Sequence, residues 1–151
     1  MTRVQATQLA AGGYLGLAAL HVNWARGSTW PFPDAETAID QVTGRSGASL
    51  PSSASCLAVA GLLASAGFLA SGRPRRYPGL SRAGATGVVL IFSLRGLFGL
   101  AGRTDLISPG SVSAAFRERD RRIYAPTCLI LAFCTAPAAL RSSKPITKER
   151  S

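Results

Sequence analysis

Four stretches of this chain are apolar enough, and nearly long enough, to cross a lipid bilayer, and they constrain its fold more than any motif does. Leu9 to Ala25, Ser53 to Ser71, Ala83 to Ala101 and Tyr124 to Leu140 each approach the roughly 20 apolar residues that a hydrocarbon core of about 30 Å requires. The competing reading is a soluble helical bundle with an alanine-rich core. Its weakness is the missing polar face, because Cys56 to Ala70 carries no charge at any helical phase. The sequence therefore predicts an all-α fold, a four-helix transmembrane bundle with two longer outer loops. Residues 1–151 form one integral membrane domain, with 141–151 expected as a basic, disordered cytoplasmic tail.

The formal net charge of +10 invites a nucleic-acid reading, which the distribution of the charges rejects. The basic residues fall in short loops and tails that flank the apolar stretches, as membrane proteins arrange them, and no basic stripe with groove-reading or stacking residues accompanies them. Arg3, the Arg73 to Arg82 loop and the Arg141 to Arg150 tail together hold nine Lys and Arg. The two remaining loops hold seven, and Arg95 is the seventeenth. The positive-inside rule then predicts a multi-pass protein of the bacterial inner membrane with N- and C-termini in the cytoplasm. A secretory signal is not expected, since no A-x-A-like cleavage site follows the first stretch and the later ones would still anchor the chain.

The outer connections, Arg26 to Ser52 and Gly102 to Ile123, are the long ones, and long connections in compact domains often carry function. Ser111 to Arg122 reads as a short amphipathic interfacial helix ahead of Pro126, which opens the last span. Gly12 with Gly16, and Gly61 with Ser65, are small-xxx-small pairs expected to let helices approach closely.

Under this topology the unusual side chains share one level. His21 and Trp24 end the first span, Cys56 begins the second, Arg95 lies toward the outer end of the third, and Tyr124 and Cys128 begin the fourth. A guanidinium at membrane depth needs a counter-ion. Phe116, Asp120, Tyr124 and Cys128 are spaced by four and form one helical stripe, which offers Asp120 for that role. The candidate ligand-binding residues are accordingly His21, Trp24, Arg95, Asp120 and Tyr124. Each also has a plainer reading: Arg95 with Asp120 as a structural ion pair, His21 as a hydrogen-bonding helix residue, Trp24, Trp30 and Tyr124 as an interfacial aromatic belt. Cys56 and Cys128, facing an oxidising compartment, are candidates for a disulfide. Three cysteines without C-x-x-C spacing and a single histidine argue against a metal site. Bis-histidine haem ligation is impossible within such a chain. G-x-S-x-G, H-E-x-x-H, Walker A and G-x-G-x-x-G motifs do not occur, and no cofactor is expected.

The run His21-Val-Asn-Trp24-Ala-Arg-Gly27 with Trp30-Pro31, then Leu94-Arg95-Gly96 with Gly99, then Phe116, Asp120, Tyr124, Pro126 and Cys128 in order, resembles the bacterial membrane family called domain of unknown function 3995. The resemblance covers most of the chain. It implies a small four-helix integral membrane protein and brings no established activity. This chain departs from the family's pattern around Ala125 and Thr127 and after Gly99, while the charged positions stay in place.

Two functional readings remain open at this stage. In one, a polar site near the outer interface binds a small amphipathic or anionic ligand, Arg95 anchoring it, Asp120 orienting Arg95, and His21 or Tyr124 exchanging protons, which leaves catalysis an open question. In the other, the chain is a structural or accessory subunit whose Arg-Asp pair holds the bundle together and whose partners are the lipid bilayer and another membrane protein. Transport ranks last, because no span contains an acidic residue to line a path.

Overall fold

Short polar caps set where each helix begins. Thr2 accepts a hydrogen bond from the Gln5 N–H at 3.2 Å while the Gln5 side chain accepts from the Thr2 N–H at 2.8 Å, a reciprocal box that starts α1 (Arg3–Ala25). Asp34 caps α2 (Ala35–Thr43), and the Thr37 N–H it accepts holds its carboxyl below the usual carboxylate range. Ser52 caps α3 (Ser53–Ala70), and Pro78, whose missing N–H costs nothing in a first turn, opens α4 (Pro78–Leu100). Ser113 caps the short α5 (Ala114–Arg119), a π turn spans Asp120–Tyr124, and α6 runs over Ala125–Ala139.

A computed structural model of the chain describes residues 1–45, 47, 49–110 and 113–140, and these are all-helical, with no strand among them. The basic tail expected at 141–151 lies outside the described residues, as do Ser111 and Val112 at the start of the predicted interfacial helix.

Among the described residues, three helical stretches are long and apolar enough to cross a membrane: Ser53–Ala70, Pro78–Leu100 and the continuous run Ala114–Ala139. The first expected span forms a helix as long as α4, 23 residues, but does not reach the same hydropathy, because Gln5, Gln8, His21 and Asn23 dilute its apolar content. The interfacial helix expected before Pro126 also differs from expectation, since α5 continues without a break into α6. The π turn is the physical reason. Pro126 has no N–H, and its ring would press on the Arg122 carbonyl four residues back. The chain widens just ahead of it, with the Ala125 N–H bonding to the Asp120 carbonyl.

The helices pack as two tight pairs, α1 on α3 and α4 on α6, with lighter α1–α6, α3–α4 and α3–α6 contacts. The core is a row spaced by four on α1, Ala6, Ala10, Tyr14 and Ala18, set against Ala60, Leu63, Ala66 and Ala70 of α3 and Leu131 and Cys134 of α6. Tyr14 is fully buried, donating to or accepting from the Thr135 hydroxyl at 3.3 Å and meeting the Phe92 ring edge-on at 4.9 Å. Outward, the long helices present bare apolar side chains such as Leu62 and Phe133, 72% and 73% exposed, as surfaces that face lipid do.

The expected small-residue pairs face the wrong way. A methyl group built on Gly12, Gly16 or Gly61 would touch nothing within 4 Å, and Ser65 is exposed with its hydroxyl bonded back to the Gly61 carbonyl. Close approach of α1 to α3 runs instead through Gly67, where a Cβ would lie 3.2 Å from the Ala11 carbonyl oxygen and 3.3 Å from the Tyr14 Cβ. Helices that are apolar on all sides carry no polar face to mark which side turns inward.

Candidate functional site

The end of α4 and the π turn ahead of α6 bring the Arg95 cation to a carboxylate. Arg95 donates from Nη2 to Asp120 Oδ1 at 2.7 Å and from Nη1 to Asp120 Oδ2 at 3.3 Å, a two-pronged fork. Thr104, in a short 3₁₀ turn (Thr104–Leu106) that follows α4, donates its hydroxyl to the same Oδ2. Asp120 is 1% exposed and Arg95 27% exposed, so the carboxylate is sealed while the arginine side chain stays partly open.

The pair depends on missing side chains. A Cβ on Gly99 would lie 2.8 Å from Arg95 Nη1, 3.0 Å from Asp120 Oδ2 and 2.7 Å from the Ala125 Cβ, so only hydrogen fits there. Gly96, one turn earlier, lets the Leu129 side chain and the Ala125 carbonyl come as close. Gly102 takes a positive φ of 68° as α4 ends, and the Arg121 guanidinium lies directly over it, a cation at a helix C-terminus where the helix dipole is negative.

The two long connections are joined beside this pair. Tyr124 donates its hydroxyl to the Gln41 carbonyl at 3.1 Å, the Ser113 N–H bonds to the Gly44 carbonyl at 3.1 Å, and Arg45 donates to the Pro109 carbonyl at 2.6 Å. Arg119 sits over the Phe32 ring, 5.3 Å from its centre. These contacts dock α2 against α5 and the π turn.

The five candidate residues thus divide between two places. Arg95 and Asp120 form the ion pair, and Tyr124 stands one turn along from Asp120 as a tether to α2. His21 instead bonds through Nδ1 to the Leu17 carbonyl at 2.8 Å and packs its ring on Trp24 at 4.9 Å. Trp24 in turn donates its indole N–H to the Trp30 carbonyl at 2.7 Å. Among the described residues no hydrogen bond or ring contact links His21 or Trp24 to the ion pair.

The disulfide expected between Cys56 and Cys128 is not formed: both are free thiols, as is Cys134. The pairing of helices explains this, because Cys56 on α3 faces the end of α1 and α2, whereas Cys128 on α6 lies within electrostatic reach of Arg95 and Asp120. Among the described residues no three His, Cys, Asp or Glu side chains converge where a cation would sit.

Sequence reasoning missed Thr104 and the Tyr14–Thr135 contact. A lone hydroxyl in a loop, or a Tyr in an apolar run, gives no signal until the fold shows it buried. The family described as a protein of unknown function, DUF3995, matches residues 14–135. The chain belongs to this family. No curated protein and no solved structure matches it. The DUF3995 region contains every residue of the ion-pair cluster, Arg95, Gly99, Thr104 and Asp120, together with both ends of the Tyr14–Thr135 contact.

Proposed function

We infer that this chain is a structural or accessory subunit of the cell membrane, in which all four long helices cross the bilayer and Arg95, Asp120 and Thr104 lock the outer end of the bundle. The observation that carries the reading is the saturation of Asp120, whose two oxygens accept the Arg95 fork and the Thr104 hydroxyl with 1% exposure. A carboxylate so engaged is neutralised by its partner and has little hydrogen-bonding capacity left for chemistry. The fourth crossing is supported by the 23-residue length of α1 and by its close packing on α3. Cytoplasmic termini are supported by nine Lys and Arg on that side against seven on the other.

Replacing Arg95 and Asp120 by alanine, singly and together, and following unfolding in detergent tests the lock. Each single variant should be less stable than the parent, and the double variant should lose less than the sum. Additive losses would remove the lock from the account. Reporter fusions at the C-terminus and within residues 73–82 test orientation, and an external signal from either would reverse it.

A second reading is favoured by the partial exposure of Arg95, 27%. Here a small anionic amphiphile meets its guanidinium, with Tyr124 beside it, and His21 and Trp24, which lie elsewhere, take no part. Such an anion should raise the melting temperature of the parent but not of Arg95→Met.

A further inference from the structure

A separate cavity, apart from the ion pair, lies where the end of α1, α2 and the start of α3 meet. Its volume is about 280 Å³, and its walls include Trp24, Ile39, Val42, Leu50, Pro51 and Cys56. That size sits at the lower end of small-molecule pockets, too small for a sugar-bearing or drug-sized guest.

The polar atoms around it are already engaged. The Trp24 indole N–H is held by the Trp30 carbonyl, and the Ser28 hydroxyl accepts from the Trp30 N–H at 3.2 Å. The Thr43 hydroxyl donates to the Ile39 carbonyl at 2.7 Å, and the Ser52 hydroxyl caps α3 and pairs with Ser55. What the cavity offers a guest is therefore apolar wall, with the exposed Ser53 as the hydroxyl nearest to hand for a headgroup. A polar metabolite entering it would give up its hydration without replacement, at a cost of about 1–3 kcal/mol per unmet group. An apolar chain loses nothing comparable and gains contact with Trp24 and the aliphatic residues.

We propose that this cavity binds the hydrocarbon tail of a single-chain amphiphile, a fatty acid being the simplest. The proposal rests on the membrane placement inferred above, because that placement sets the mouth of the cavity at the interface where such molecules partition. One chain fills the space, and a two-chain lipid would have to leave its second tail outside it.

Trp24 makes the test direct. In Trp30→Phe it is the only tryptophan, and its fluorescence reports a bromine atom nearby. The chain is placed in phosphatidylcholine nanodiscs and titrated with a medium-chain fatty acid brominated near its tail. Saturable quenching that unbrominated fatty acid reverses is the expected result. Val42→Phe, which fills the cavity, should weaken the apparent affinity by about tenfold, in line with roughly 1.4 kcal/mol of lost fit. Quenching that rises linearly and resists competition overturns the proposal, since it reports simple partitioning. Equal quenching by tail-brominated phosphatidylcholine in the disc overturns the single-chain assignment. A chain that fails to enter nanodiscs sinks the membrane placement and the site together, whereas one that enters without saturable quenching sinks the site alone.

Discussion

The two helix pairs solve the same packing problem by different means. Where α1 meets α3, the contact is a run of alanines and one close glycine, Gly67, with Tyr14 as the single polar group that reaches across, to Thr135 of α6. Where α4 meets α6, two inward glycines admit a fork-shaped ion pair closed by a hydroxyl from the following turn. The first pair relies on shape, which in lipid means dispersion and small residues. The second adds an electrostatic tie that is costly to leave half made. Replaceable parts therefore belong to α1 and α3, and irreplaceable ones to the end of α4 and the turn that leads into α6.

Breaking the tie should have the largest effect. Removing Arg95 alone strands the sealed Asp120 carboxylate and should cost on the order of 3 kcal/mol, measured by unfolding in detergent, with Asp120→Ala somewhat milder because the guanidinium it strands is partly exposed. Gly99→Ala comes next. Its new methyl group collides with Ala125 and with both members of the pair, so a loss of about 1–3 kcal/mol is expected, and a neutral outcome would mean the two helices part easily. In the other pair, Tyr14→Phe keeps the ring against Phe92 and removes only the bond to Thr135, which should lower stability by about 0.6 kcal/mol. Smallest of all, Gly12→Ala and Gly16→Ala should stay within about 1 kcal/mol of the parent, since their methyl groups meet open space. A large loss there would show that those positions contact a neighbour.

What the sequence made legible follows from cost. A charge in an apolar run is expensive, so Arg95 announced itself, and the spacing of Phe116, Asp120 and Tyr124 pointed to the partner that the structure brings to it. Cheap features were silent. Which glycines turn inward could not be read, because neither α1 nor α3 gathers its polar residues on one face and their phase is unmarked. Thr104 looked like any loop hydroxyl. The packing of His21 on Trp24, which lines a different cavity, was equally hidden, since depth along a helix was readable and angle around it was not. Pro126 was visible as a helix opener, and the every-fourth spacing from Phe116 to Cys128 pointed across it, but nothing signalled the wide turn at Asp120–Tyr124.

That continuity has a consequence for how the DUF3995 chain tolerates length changes. The wide turn at Asp120–Tyr124 accommodates one residue more than an ordinary helical coil would. That turn can give up one residue and tighten into an ordinary coil with both sides kept in phase, whereas deleting one residue from α6 itself would swing everything upstream by about 100° relative to the rest of the bundle. The hydroxyl of Ser113 and the stacked guanidinium of Arg119 would then lose their places, and the two loops they unite would come apart without any substitution at the contacts themselves. Rotational phase, with slack for one residue in the five of the π turn, governs whether those loops meet.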